Sequence, residues 1–258
     1  MADSIIELRK VDPVTVMTLS AGKANVLDAT LLDAITRTID QVIADGARVL
    51  VVTGDGASFS GGLALPTLID QDRAAVRALM SSLRVAMQRV LEAPIPVIAG
   101  INGNAIAGGC VLALMCDVRL MIEHTERGTP RIGLNEAQLG LGLPPVVLEA
   151  ARAKLPVDSH VPVMLEGLLF EPAAALAMKL VDEVVPGDQF EARVLERGEA
   201  LATMAPLAYA QIKRALVRPI VEAIERTDTL ETDPWLDTWF SPEGQRRMRA
   251  AVARITKK

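Results

Sequence analysis

Apolar and polar residues alternate over 5–10 and again over 14–20, on either side of the turn dipeptide Asp12-Pro13, which predicts an opening β-hairpin. Asp28 is then placed to cap a helix: from 29 to 44 the apolar positions Leu31, Leu32, Ile35, Ile39, Val42 and Ile43 recur at helical spacing, and Asp45-Gly46 stops the run. Residues 48–53 are a β-branched burst without alternation, as expected of a strand covered on both faces. The pattern then repeats. A glycine-rich loop (54–62) leads to a long helix from about 72 to 92, Pro94-Ile95-Pro96 breaks it, and a buried strand follows at 97–101. A second glycine-rich stretch (102–109) opens a short helix through Met115, and 117–122 is strand-like again. Regular alternation of this kind indicates an α/β layered core of similar stacked units. After Val185-Pro186 the pattern is helical only, over 190–204, 206–226 and 242–255. There Trp235, Trp239 and Phe240 supply aromatic surface for core packing or for self-association.

Composition narrows the function classes. The 258 residues carry 27 Lys and Arg against 32 Asp and Glu, a formal charge of -5, which argues against a sequence-independent grip on nucleic acid or on an anionic membrane. Half the residues are hydrophobic, yet every apolar run is broken well before the roughly 20 residues of a membrane span. The start MADSIIELRK lacks a basic region followed by an apolar stretch and the end ITKK is no retention or peroxisomal address, so the cytoplasm is the expected location. Cys110 and Cys116 fall on different faces of the expected short helix and read as buried small hydrophobes, not as a disulfide. His124 and His160 have no partners at metal-ligand spacing, so no metal is expected. No glycine-rich loop carries the Lys-Ser/Thr grip of a nucleotide triphosphatase.

Chemistry concentrates in the two glycine-rich stretches and one carboxylate. In Gly54-Asp55-Gly56-Ala57-Ser58-Phe59-Ser60-Gly61-Gly62-Leu63 the glycines let backbone approach a ligand closely. In Asn102-Gly103-Asn104-Ala105-Ile106-Ala107-Gly108-Gly109 a pair of glycines opens a helix whose free N–H groups and dipole favour negative charge. From this stretch alone, Gly108 and Gly109 serve equally well to let a helix approach its neighbours. The candidate base is Glu136, set among Leu134, Leu139 and Leu141. Apolar surroundings raise a carboxyl pKa toward a working pH, although a surface Glu at a loop-to-helix turn reads the same locally.

Taken together, KANVLD around Asn25, FSGGLAL at 59–65, PVIAGINGNAIAGGCVLALMCD at 96–117 and GLLFEPAAALAMKLVDEVVP at 167–186 resemble the enoyl-CoA hydratase/isomerase (crotonase) superfamily over most of the chain. The resemblance implies a crotonase-like α/β spiral of ββα units over 1–200 and a C-terminal helical region over 201–258 that mediates trimers or paired trimers. It implies an acyl-CoA thioester as substrate, with coenzyme A as part of the substrate and no separate cofactor. The thioester oxygen would be held by the backbone N–H groups of Leu63 and Gly108, with Gly109 the one-residue alternative, and Glu136 would be the catalytic acid-base. Ala24, Asn25 and the loop Gly61, Gly62, Leu63, Ala64, Leu65 would face the adenine and pantetheine, with Lys23 a candidate phosphate contact.

Hydratases of this family use a second glutamate just after the glycine pair, and here that position is Val111. Adding water requires a nucleophile to be positioned and deprotonated, whereas moving a double bond needs only proton removal and return, which one carboxylate can perform. GGCVLALMCD, IGLNEAQLG and LEGLLFEPAAAL together look like the Δ3,Δ2-enoyl-CoA isomerase branch, where an Asn-Glu pair matching Asn135-Glu136 recurs. Asn135 would orient the Glu or touch the thioester, and a turn-forming Asn is the equal alternative. The expected function is therefore isomerisation. Hydration or another enolate reaction, and a catalytically weak acyl-CoA-binding protein, are the alternatives. Two departures stand out: Gly62-Leu63-Ala64 where the branch has Gly-Leu-Asp, which bears on loop geometry, and a longer polar excursion at 123–130.

Overall fold

A computed structural model describes residues 5–255. The hairpin forms as its patterning requires: β1 (Ile6–Val11) and β2 (Val14–Leu19) pair antiparallel around Asp12-Pro13. α1 (Ala29–Ala44) begins at Asp28, whose carboxylate accepts the Leu31 N–H at 2.8 Å. β3 (Val49–Gly54) continues in parallel beside β2 and is almost wholly buried. After it come β4 (Ser58–Ser60), the single turn α2 (Leu65–Leu68), and α3 (Arg73–Glu92), capped by Asp72. The same order returns as β5 (Val97–Ile101), β6 (Asn104–Ile106) and α4 (Gly108–Met115), and again as β7 (Val118–Ile122), β8 (Ile132–Gly133) and α5 (Pro145–Lys154). Each repeat is strand, short strand, helix, the expected ββα unit.

The long strands join one sheet in the order β1-β2-β3-β5-β7-β9, closed by β9 (Glu183–Val185), which follows α6 (Pro172–Ala177). The short strands make a separate three-stranded parallel sheet, β4-β6-β8. Neither this second sheet nor β9 was marked by periodicity, because runs of two or three residues carry none. One face of the large sheet is covered by α7 (Phe190–Ala202), through Phe190 and Val194 against Val14, Val51, Ile98 and Leu120. The main core lies between the two sheets and the other helices, with Leu32, Ile35, Phe59, Met87, Val111 and Leu114 at its centre. The excursion at 123–130 is a turn tied by Thr125 and Gly128.

The expected helix 206–226 is longer: α8 (Pro206–Trp239) runs on through Pro219 and Pro234 before α9 (Pro242–Ile255). The polar stretch after 226 suggested an end, but the buried face resumes with Trp235, Leu236 and Trp239, and that burial outweighs the backbone hydrogen bond each proline removes. α8 is pinned to the large sheet by a buried ion pair, Lys213 Nζ donating to Asp117 Oδ2 at 2.7 Å and to the Ile95 carbonyl at 3.1 Å. The same Asp117 oxygen accepts from Tyr209 Oη and the Val97 N–H, which satisfies a charge that burial would otherwise make expensive. Among the described residues no helix is long and apolar enough to cross a membrane.

Candidate active site

The small sheet explains how distant parts of the chain meet. Its three strands are parallel, so their C-terminal ends lie at one edge, and each is followed within three residues by a candidate site residue. β4 leads into Gly61-Gly62-Leu63, β6 into Ala107-Gly108, and β8 into Asn135-Glu136. Register fixes the last two against each other: Ile106 pairs with Gly133, and the Ala107 N–H donates to the Gly133 carbonyl at 2.9 Å.

Among the described residues the N–H groups of Leu63 and Gly108 enter no backbone hydrogen bond. Leu63 bridges in parallel to Leu27, with the Leu27 N–H on the Gly62 carbonyl at 2.8 Å and the Ala64 N–H on the Leu27 carbonyl at 3.3 Å. In a parallel ladder that leaves the N–H of Leu63 itself directed away from Leu27. Gly108 is the first residue of α4 and has no carbonyl one turn earlier in the helix to bond. Its orientation is set by Ala107, held at φ +51° and ψ −117°, a conformation a side chain rarely adopts and that costs about 1–3 kcal/mol. The glycines serve close approach as well. A Cβ on Gly109 would lie 2.1 Å from the Ser60 carbonyl oxygen, and one on Gly62, at φ +81°, would lie 3.0 Å from the Gly108 nitrogen. The glycine pair thus lets α4 approach β4, as the packing reading of Gly108 and Gly109 requires.

Glu136 closes the site. It follows β8 and enters a short 3-10 turn (Ala137–Leu139) that ends at Gly140 in the left-handed region, with its own carbonyl accepting from Leu139 and Leu141. The residue is 7% exposed, and burial raises its pKa from 4.5 to about 7, offset in part by a hydrogen bond to its own backbone N–H. A cavity of about 140 Å³ is lined by Leu63, Gly108, Asn135 and Glu136 together with Leu83, Leu141, Val147, Trp235 and Trp239. Among the described residues Glu136 is the one ionisable side chain on its wall. Five buried side-chain polar atoms of the described residues lack a hydrogen-bond partner, and three of the residues that own them, Asn135, Glu136 and Trp239, line this cavity. That concentration singles this cavity out among the described residues.

Of the residues expected from the sequence, Gly61, Leu63, Leu65, Gly108, Asn135 and Glu136 line the cavity. Gly62, Ala64, Gly109 and Val111 stand behind that wall, Val111 fully buried within α4. Asn25 is also fully buried; its Nδ2 donates to the carbonyls of Asp55 and Ser58 and its Oδ1 accepts the Ala21 N–H, so its side chain clamps the loop leading to Leu63. Ala24 supports the same loop, its carbonyl accepting the Gly61 N–H at 2.7 Å, and Lys23 is exposed beside it. At position 64, where the resemblance led to expect a carboxylate, the Ala64 carbonyl accepts from the Thr67 N–H and hydroxyl and so ties the loop to α2. Trp235 and Trp239 were not read as wall residues, since their place depends on α8 continuing past 226. The Cys110 thiol is pushed far up by burial and secondarily by the charge of Glu136, which removes it as a nucleophile. No group of three or more His, Cys, Asp or Glu side chains among the described residues is placed to hold a metal ion.

Known proteins similar to this chain match it over most of its length. The human protein "Enoyl-CoA delta isomerase 1, mitochondrial" is 30% identical over 186 residues, which are 70% of this chain and 60% of that protein. The chain thus spans less than two thirds of that relative's length. The "Probable enoyl-CoA hydratase" of Bacillus subtilis strain 168 is 26% identical over 243 residues, 92% of this chain and 91% of the relative. The crystal structure of human mitochondrial delta3-delta2-enoyl-CoA isomerase superposes with a TM-score of 0.89 over 98% of this chain and 99% of its own; at 23% identity it shows the shared fold. The sequence model described as enoyl-CoA hydratase/isomerase matches residues 9–246, nearly the whole chain, which therefore belongs to the enoyl-CoA hydratase/isomerase family.

Proposed function

We propose that the protein is a Δ3,Δ2-enoyl-CoA isomerase in which Glu136 carries a proton from C2 to C4 of the acyl chain. The observation that carries this reading is the solitary carboxyl: Glu136 is the one ionisable side chain on the cavity wall among the described residues, and the α4 position after the glycine pair is the apolar Val111. The ionised Glu136 takes a C2 proton from a 3-enoyl thioester. The electron pair moves into a C1–C2 bond and the charge settles on the thioester oxygen, where the N–H groups of Leu63 and Gly108 receive it. Donors preorganised for such an oxyanion contribute about 3–4 kcal/mol each. The protonated Glu136 then returns the proton at C4, leaving a C2–C3 double bond conjugated with the thioester. A pKa of about 7 suits both halves, because the group is a base for the first step and an acid for the second.

The coenzyme A portion is assigned to the mouth formed by Ala24 and residues 61–65, beside Lys23. Assembly into trimers fits the exposed apolar side chains Leu165, Leu207, Leu216 and Leu230, and sedimentation of the purified protein tests it. The reaction is tested with 3-hexenoyl-CoA and crotonyl-CoA, following absorbance of the conjugated thioester. A rise with the first and no change with the second is expected. A fall with crotonyl-CoA indicates hydration, and no change with either indicates a protein that only binds acyl-CoA.

A further inference from the structure

The wall of the cavity supplied by α8 contains a donor that the isomerisation does not use. Trp235 and Trp239 lie one turn apart on α8, their ring centres 5.6 Å apart, and both line the cavity. Trp235 Nε1 donates to the Gly142 carbonyl at 3.1 Å. Trp239 is fully buried, and no acceptor of the protein lies within hydrogen-bonding reach of its Nε1. Burying an N–H without a partner is unfavourable, and folded proteins rarely leave one so. The rest of the wall does not satisfy it: Asn135 Oδ1 and Glu136 Oε2 are acceptors yet both stand without a partner, and Leu83, Leu141 and Val147 are apolar. A purely hydrocarbon chain would be held as well by phenylalanine, which fills similar space and leaves no orphaned donor.

We propose that Trp239 is a specificity-determining residue whose indole N–H donates to an oxygen on the acyl chain, so that the preferred ligands are short acyl-CoA thioesters bearing a carbonyl, hydroxyl or ether oxygen beyond the reacting carbons. The inference rests on the cavity being the acyl site of the proposed isomerase. Its volume of about 140 Å³ resembles the roughly 150 Å³ that admits one benzene molecule, which limits the chain to a few carbons and keeps the oxygen near the indole. A site that hydrogen-bonds a substrate oxygen discriminates strongly against the analogue lacking it, because the buried partner is then left unpaired.

The test is calorimetric binding of hexanoyl-CoA and 5-oxohexanoyl-CoA to the wild type and to Trp239→Phe. The oxo ligand is expected to bind about tenfold tighter than hexanoyl-CoA to the wild type, with the preference lost in Trp239→Phe. Equal affinities in the wild type, or a preference that survives the substitution, overturns the proposal. A wild-type measurement stands beside the variant: the chain has two tryptophans, so two indole N–H resonances, and the one not already bonded to Gly142 should move downfield with the oxo ligand and not with hexanoyl-CoA. Failure of both resonances to distinguish the ligands also overturns it. Isomerisation of 3-hexenoyl-CoA is measured in parallel. Isomerisation without an oxygen preference refutes this inference alone, whereas an oxygen preference without isomerisation refutes the proposed reaction and leaves the role of Trp239 standing.

Discussion

Replacing Glu136 by glutamine should stabilise the protein at alkaline pH far more than at acid pH. In the unfolded chain the carboxyl titrates near 4.5, and in the folded protein burial moves it to about 7. At low pH it is protonated in both states and contributes no difference. Between these values the folded protein holds a proton that the unfolded chain has released, so stability falls as pH rises. Above about 7 the group is ionised in both states and the loss is complete. Each pKa unit corresponds to about 1.4 kcal/mol, which puts the full loss at about 3 kcal/mol and the part falling between pH 5 and pH 8 at about 2.5 kcal/mol. Glutamine keeps the shape and cannot ionise. Urea denaturation of the wild type and Glu136→Gln, at equal protein concentration and salt, isolates this contribution because the other titrating groups are common to both. The advantage of the variant should grow by about 2.5 kcal/mol from pH 5 to pH 8 with an unchanged denaturant slope. An advantage that stays constant across that range would refute the claim that burial, and not the local turn, sets the proton affinity of Glu136.

Three further outcomes follow from the site and its supports. Gly62→Ala should lower isomerase turnover at least about 100-fold, since the added Cβ meets the Ile106 oxygen at 2.7 Å and the Gly108 nitrogen at 3.0 Å; turnover within a few-fold of wild type counts against Gly108 as an oxyanion donor. Ala107→Gly should raise stability by about 1 kcal/mol, because glycine relieves the positive φ by more than its own entropy costs, and a denaturation midpoint that falls instead would remove the assigned strain. Lys213→Met should destabilise by about 3 kcal/mol by leaving Asp117 buried without its cation, and adding Asp117→Asn should recover part of that loss; no recovery in the double variant argues that Lys213 acts through its alkyl chain alone.

Much of the scaffold was legible because its signals are local. The cap at Asp28, the alternation around Asp12-Pro13 and the helical spacing of Leu31, Ile35 and Ile39 each state their element within a few residues. The small sheet was not legible, since β4, β6 and β8 are two or three residues long and exist only through pairing among themselves. That sheet is nevertheless what brings Leu63, Gly108 and Glu136 to one edge, so the sequence offered the site as separate pieces joined by resemblance. Asn25 illustrates the same limit: nothing near it in the chain reveals that its amide holds the carbonyls of Asp55 and Ser58, more than 25 residues away. The tryptophans escaped for a tertiary reason, because α8 persists through a polar stretch to bury its end.

The most direct test of the central claim is the steady-state rate of 3-hexenoyl-CoA isomerisation by wild type and Glu136→Gln, measured from pH 5 to pH 9. A solitary proton carrier requires the variant to lose about 100-fold to 10,000-fold in kcat while still binding acyl-CoA, and requires the wild-type kcat/KM to rise through an ionisation near 7. Near-normal turnover by Glu136→Gln would contradict the account outright.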